Sequence, residues 1–275
     1  MKFFTNLFSE EEANVIFFLI DYTKDSKELG KRIRKASLFV EPFSSYKNEN
    51  LLKNIKIFDK GDIKLNSFEE IEKIVSEIRK ANKLPLMFSR GHYPSFYSSK
   101  IFPNEKLLIF DAHADCKDKY IDEIISFDSE EPKEKFNGST WLRRLLENQN
   151  REILLIGLRS FDEEEIDFLR KKKVKFLTSR EVLENKEYAL KIVKNFTENS
   201  KLHISLDFDV FDPSVFPAVD YPEPGGIYFY DFADIVENIE GKIVSIDACC
   251  LKPIENNMIS EFLAVKSMFY LLSKI

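Results

Sequence analysis

The chain is poor in glycine, with 8 in 275 residues, and none of them completes a G-x-G-x-x-G or a G-x-x-x-x-G-K-[ST] pattern. Dinucleotide binding and P-loop chemistry, which need a glycine-rich turn against phosphate, are excluded. Cysteine is scarce too: Cys116, Cys249 and Cys250 are odd in number, and adjacent cysteines are poorly placed to pair with each other. No disulfide framework is implied. Long apolar runs are also missing. The longest near the N-terminus, Val15 to Ile20, is far too short to cross a bilayer, and Glu10-Glu11-Glu12 just before it spoils a signal peptide. A cytoplasmic protein with no membrane partner is expected. Basic charge is not in excess either: the formal net charge is -6 with both signs interspersed, so there is no electrostatic footprint for nucleic acid. Small molecules are the expected partners.

What is there is an apolar fraction of 44%, ample for a buried core. Short β-branched or aromatic runs alternate with longer charged, amphipathic stretches, the pattern of repeated βα units around a mostly parallel sheet. About eight strands are expected, over Asn14 to Ile20, Asn54 to Phe58, Leu84 to Phe88, Lys106 to Phe110, Glu152 to Gly157, Lys175 to Leu177, His203 to Phe208 and Lys242 to Ile246. Helical spacing of apolar residues runs through Ser67 to Asn82, Asp162 to Lys172, Ser179 to Asn195, Tyr230 to Ile239 and Ser260 to Ser273. These stripes, and the 26 phenylalanines, are read as packing rather than chemistry.

Polar motifs fall at the C-terminal ends of the expected strands, the edge where open α/β sheets place their sites. His92 follows one strand, Asp111-Ala112-His113-Ala114-Asp115 a second, and Asp207-Phe208-Asp209 closes a third. Residues two apart in an extended segment point the same way, so Asp111, His113 and Asp115 can converge while Asp207 and Asp209 approach from a neighbouring strand. Carboxylates with imidazoles suit Mn²⁺, Fe²⁺, Co²⁺ or Zn²⁺; the carboxylate-rich set favours Mn²⁺, and no thiolates stand at the spacing of structural zinc. Two of the three histidines sit in these segments. The third, His203, lies within a strand and is read as a core residue or a support for the ligands.

Asp111-Ala112-His113-Ala114-Asp115, Ser205-Leu206-Asp207-Phe208-Asp209-Val210-Phe211-Asp212-Pro213 and Pro222-Glu223-Pro224-Gly225-Gly226 resemble, in order and spacing, the ureohydrolase signatures of arginases and agmatinases. Weaker echoes are Ile33-Arg34-Lys35-Ala36-Ser37, Asp59-Lys60-Gly61-Asp62, Ile156-Gly157-Leu158-Arg159-Ser160 and Ser260-Glu261. The Pro-Glu-Pro-Gly-Gly run looks most like agmatinases. The resemblance implies one domain over residues 1–275, a three-layer αβα sandwich, and a homo-oligomer, trimer or hexamer. It implies two Mn²⁺ per chain, one held by His92, Asp111, Asp115 and Asp207, the other by Asp111, His113, Asp207 and Asp209. The implied activity is hydrolysis of a guanidino or amidino compound, agmatine to putrescine and urea in polyamine biosynthesis. Asp115 then serves both as a ligand and in catalysis.

The chain departs from the family pattern at two places. Asn137, in Phe136-Asn137-Gly138-Ser139-Thr140, stands where the family has a proton-relaying histidine, and asparagine cannot carry a proton at neutral pH. In Asp247-Ala248-Cys249-Cys250-Leu251-Lys252-Pro253, Cys250 replaces the family's guanidinium-binding glutamate. A buried guanidinium without its counter-charge loses several kcal/mol of binding. This opens a formimino or other amidine substrate, or a metal-binding but catalytically silent subunit. Glu223 and Glu255 remain as acidic partners for a substrate amine, and Arg90 and Lys252 are expected to form a solvated rim.

Overall fold

A computed structural model describes residues 2–3, 7–120 and 134–275. In chain order it runs β1 (Val15–Asp21), α1 (Ser26–Ser37), β2 (Phe43–Ser44), β3 (Glu49–Asn50), β4 (Ile57–Lys64), α2 (Glu70–Lys80), β5 (Leu84–Phe88), α3 (Pro94–Lys100) and β6 (Lys106–Phe110). It continues with α4 (Trp141–Asn148), β7 (Ile153–Leu158), α5 (Glu163–Lys171), β8 (Lys175–Thr178), α6 (Ser179–Glu184), α7 (Lys186–Thr197), β9 (Lys201–Asp207), α8 (Phe229–Glu237), β10 (Lys242–Cys249) and α9 (Ile259–Leu272). Eight strands form one sheet in the order β4-β1-β5-β10-β9-β6-β7-β8, and every pairing in it is parallel.

A strand covered on both faces needs apolar residues at every position, and β1 shows it. Val15, Phe17 and Leu19 enter one core with α1, α7, α8 and α9, while Ile16, Phe18 and Ile20 enter the other with α2, α4 and α5. Helices therefore cover both faces, and the three-layer αβα sandwich expected from the sequence is what the chain adopts.

The differences from the expected elements have local causes. β4 begins and ends later than the apolar run Asn54 to Phe58, because it is an edge strand whose outer positions are polar yet stay on the ladder with β1. The stretch Ser179 to Asn195 is two helices, broken at Asn185, which ends α6 and starts α7. Helix α1 is charged enough to hide its stripe of Leu29, Ile33 and Ala36. Two of the weaker sequence echoes meet here: Arg34 of α1 binds both carboxylate oxygens of Asp59, at 2.7 and 3.1 Å, and Asp62 at 2.6 Å. A third, Glu261, is fully buried against Arg32. These residues tie helices to the sheet and take no part in the ligand cluster.

The chain lays β6 three strand positions away from β5, and β10 and β9 fill the gap last. The four central strands thus end side by side at one edge, where the topology switches direction.

Candidate metal centre

Each candidate ligand follows one of these central strands. β5 leads through Ser89-Arg90-Gly91 into His92, β6 into Asp111, and β9 into Asp207 and a short 3₁₀ turn, Phe208–Val210, that carries Asp209. Beneath them an aromatic stack of Phe88, Phe208, Phe216, Phe211, Phe232 and Phe110 forms a dry floor, with neighbouring ring centroids 5.0 to 5.8 Å apart.

The six side chains converge. His92 Nδ1 lies 2.8 Å from Asp115 Oδ2 and 3.2 Å from both Asp111 Oδ2 and Asp207 Oδ2. His113 Nδ1 lies 2.8 Å from Asp209 Oδ2 and 3.8 Å from Asp111 Oδ1. One ring nitrogen cannot serve three carboxylates, and neither His92 Nδ1 nor Asp111 Oδ2 has a hydrogen-bond partner among the described residues. Buried polar atoms in that state call for a physical explanation, and a bound ion is one. Three carboxylates around one imidazole nitrogen, and a shared Asp111 between two donor clusters, fit a pair of divalent cations.

The charges confirm how strained the bare cluster is. Burial, then repulsion from Asp115, Asp209 and Asp207, pushes the Asp111 carboxyl well above the usual range. Burial and Asp209 push Asp207 up to about 6. Burial works against charge on His113, yet Asp209 and the other carboxylates win and raise it to about 10. The same pairing holds Asp209 below its ordinary value despite its burial.

Supporting contacts fix the donors. Asp115 sits at φ +49, which turns its carboxylate back toward His92, and Trp141 Nε1 donates to its Oδ2 at 3.0 Å. The backbone amide of Asp209 donates to Asp207 Oδ1 and that of Ala112 to Asp209 Oδ1. Arg159 donates to the carbonyls of Asp209 and Glu223, joining the 3₁₀ turn to the Pro-Glu-Pro-Gly-Gly loop. That loop closes on Asp212, whose Oδ2 accepts from Gly225 and Gly226; a Cβ on Gly226 would meet the Asp212 nitrogen at 2.4 Å, so only glycine fits. His203, fully buried, pairs with Asp247 at 2.6 Å, away from the donor atoms. The roles of Trp141, Ser205, Asp247 and Arg159 are not visible in the sequence: the last three stand inside the motif segments, but what each does rests on contacts with residues distant in the chain.

A cavity of about 390 Å³ opens over the cluster, lined by His92, His113, Asp115, Asp207, Asp209, Cys250, Glu223, Lys117, Tyr120, Tyr221, Ser139, Asp162 and Glu165 among others. Cys250 and Glu223 reach it, and Ser160 donates to Glu223 at 3.2 Å. Asn137 does not line it. Its side chain caps the turn Gly138–Thr140 by accepting from Ser139, and donates to the carbonyls of Tyr120 and Glu134. Glu255 is exposed and away from the cavity lining.

One expectation needs correcting. Arg90 is not a solvated rim residue: it is buried, with Nη1 2.6 Å from Asp220, and Lys252 binds the other oxygen of the same carboxylate at 2.8 Å. Asp220 supplies the counter-charge to the buried Arg90, since a bare guanidinium at that depth would be costly, while the Lys252 side chain stays partly in solvent. Cys249 and Cys250 stand within 4.8 Å of the His92 and Asp207 donor atoms, beside the site where the sequence puts Cys250. The ladder sets Cys249 opposite Asp207, and Cys250 follows at φ +66.

Among the described residues no helix is long and apolar enough to cross a membrane. The arginase family model matches residues 21–273. A 32.2 kDa protein of Methanothermus fervidus is 30% identical over 224 residues, spanning 78% of this chain and 73% of its own. The agmatinase of Bacillus anthracis is 28% identical over 255 residues, 86% of this chain and 82% of its own. Among solved structures, the agmatine ureohydrolase of Thermoplasma volcanium superposes with a TM-score of 0.82 at 26% identity, covering all of this chain and 94% of that one. Sheet order, strand-end donors and these likenesses agree, and the chain belongs to the arginase family as a ureohydrolase.

Proposed function

We propose that the chain hydrolyses the C–N bond of a linear cationic guanidino or amidino compound, with agmatine as the first candidate, using two Mn²⁺ held by the six strand-end donors. The observation that carries this is the convergence of Asp111, Asp115 and Asp207 on one imidazole nitrogen that has no hydrogen bond of its own. His92, Asp111, Asp115 and Asp207 would hold one ion, and Asp111, His113, Asp207 and Asp209 the other. Two such cations supply Lewis-acid polarisation and acidify water near neutral pH.

The residues of this chain supply the rest. The two donor clusters sit on the floor of the cavity, and the phenylalanine stack below leaves the cavity mouth as the route for water. Glu223, held by Ser160 and by the Arg159 contacts to its backbone, offers a carboxylate at the wall for a substrate amine. Lys117 is paired with Asp162 and Glu165, so it does not oppose a cationic ligand. The anions at the wall then outnumber the cations, which favours a substrate with positive charge at its far end. Water adds to the central carbon, the C–N bond breaks, and the departing nitrogen leaves as an amine with a proton from water or a cavity side chain, giving urea from a guanidine.

A second reading, a metal-binding subunit without turnover, is favoured by one observation: the Asn137 amide is committed to backbone groups and presents nothing to the cavity. Urea and ammonia release from agmatine, arginine, guanidinobutyrate and formimino compounds, measured after Mn²⁺ loading, separates the two. Urea from agmatine is the expected result. No release from any substrate, with two ions bound, would establish the second reading.

A further inference from the structure

Asp247 is fully buried and accepts from four side chains: Ser95 and Ser205 on Oδ1, both at 2.6 Å, and Ser98 and His203 on Oδ2, at 2.8 and 2.6 Å. A carboxylate only accepts, so the His203 proton is on Nε2 and its Nδ1 is an acceptor. That Nδ1 has no hydrogen-bond partner among the described residues, and neither has Ser99 Oγ or Arg151 Nη2. Ser99 and His203 are fully buried and Arg151 is 7% exposed, so each atom left unpaired would carry its full desolvation cost.

The three side chains meet in one place. Arg151 Nη1 donates to the Ser99 carbonyl at 3.0 Å, at the C-terminal end of α3. Ser98, the preceding residue, shares Asp247 Oδ2 with His203. The Phe102 amide donates to the same Ser99 carbonyl, and its ring stacks on the His203 imidazole at 5.3 Å. Across the sheet His203 stands opposite Leu107 and Leu107 opposite Ile153, two residues after Arg151, so His203 and Arg151 face the same layer of helices.

We propose that a single buried water joins Arg151 Nη2, Ser99 Oγ and His203 Nδ1, and that Arg151 and His203 are thereby positioning residues for the metal centre, acting through Asp247 on His92. The part that concerns His92 rests on the proposed two-cation centre. Nη2 donates to the water oxygen, one water hydrogen goes to Nδ1 and the other to Ser99 Oγ, which makes the three bonds usual for a buried water. An anion does not suit the position, because Nδ1 offers it a lone pair and no hydrogen. Burial holds His203 below the ordinary histidine range, so the ring is neutral, and Arg151, pushed down to about 10 by burial, is still a cation at neutral pH. A buried cation and a buried carboxylate are then linked across a neutral imidazole. Asp247 reaches His92 by two routes: Ser205 meets the ring at Nε2, and Ser95 and Ser98 hold α3, which starts two residues after His92 and whose Ser95 amide donates to the His92 carbonyl.

The test uses the full chain. A crystal structure of the Mn²⁺-loaded protein is expected to show one ordered water within hydrogen-bond distance of all three atoms. No density there overturns the water position, and this measurement needs no variant to fold. Mn²⁺ affinity is then measured by competition against a chelator. His203→Leu and Arg151→Met are each expected to weaken it by about tenfold, while His203→Gln, whose amide can still donate to Asp247, keeps it near the wild-type value. Either of the first two suffices if the other fails to fold. Val193→Ala, a truncation on α7 in the core across the sheet, separates positioning from plain loss of stability: it should lower the melting temperature and leave the affinity unchanged. Wild-type affinity in His203→Leu or Arg151→Met overturns the positioning role, and so does a loss in Val193→Ala equal to theirs. Failure of the wild type to bind Mn²⁺ overturns the metal centre and the positioning role with it, whereas the density still decides the water position.

Discussion

His92 Nε2 lies 3.1 Å from Ser205 Oγ, and this contact decides which imidazole nitrogen is free. Ser205 gives its own proton to Asp247 Oδ1 at 2.6 Å, so its oxygen can only accept from Nε2–H. Nδ1 is then the nitrogen that faces Asp111, Asp115 and Asp207; in the bare cluster burial opposes charge on this imidazole, yet the surrounding anionic groups outweigh it and hold a proton there well above the usual histidine range, a proton that a cation would displace. Asp247 also accepts from Ser95, Ser98 and His203, and against its burial these partners hold its carboxyl at about 2. Outer partners of this kind fix a ligand's tautomer and are typically worth about 10- to 100-fold in metal affinity. Ser205→Ala is therefore predicted to lower metal affinity by about that factor with the fold intact, measured by competition against a chelator. Unchanged affinity would show that Ser205 does not set the tautomer.

Asp111 belongs to both donor clusters, and His113 to one. Asp111→Ala should accordingly remove both ions together, as should Asp207→Ala if it bridges as proposed, while His113→Ala should remove one. Metal analysis of the purified variants decides this. One ion retained at full occupancy in Asp111→Ala would contradict the shared role.

The bare cluster should show itself in stability against pH. Asp207, at about 6 when folded, compares with about 3.9 in an unfolded chain. A raised carboxyl value means that the folded state binds the proton more tightly, so this stabilisation is complete below about pH 3.9 and is lost as pH rises through about 6. Asp247 works in the opposite sense and lower, its contribution being present above about pH 3.9 and lost as pH falls through about 2. Cation-free protein is predicted to lose thermal stability between about pH 4 and 6 relative to protein saturated with Mn²⁺, because cations take the place of the protons. Parallel melting curves with and without Mn²⁺ across that range would refute it.

The ligand cluster was legible in the sequence because metal chemistry needs particular residue types at strand-end spacing, and Asp111-x-His113 and Asp207-x-Asp209 meet that need locally. The eight strands were legible because both faces of a covered parallel sheet demand apolar residues, as β1 shows throughout. What could not be read depends on long-range contacts. Arg90 looks solvated until Asp220, far along the chain, is brought against it. Ser205 and Trp141 look like core residues until the fold sets them beside His92 and Asp115.

Cys250 and Asn137, the two departures from the family pattern, should respond differently to restoration of the family residues. Cys250 lines the cavity at the end of β10, so Cys250→Glu places a carboxylate where a guanidinium can meet it and is predicted to raise urea release from agmatine. The left-handed backbone there is as accessible to glutamate as to cysteine, and no backbone hydrogen bond depends on the thiol of Cys250 among those described. Asn137 is buried, accepts from Ser139 and donates to two carbonyls, so Asn137→His breaks a cap worth about 1 kcal/mol and removes a donor from the carbonyls of Tyr120 and Glu134. Alone, Asn137→His should lower the melting temperature by several degrees and add no activity, for its ring starts from a backbone position whose side chain points away from the cavity. Adding it to Cys250→Glu should therefore give no further gain. Urea assays and melting curves on the two single variants and the pair test this, and a double variant much faster than Cys250→Glu would show that the loop around Asn137 can turn its side chain toward the metals.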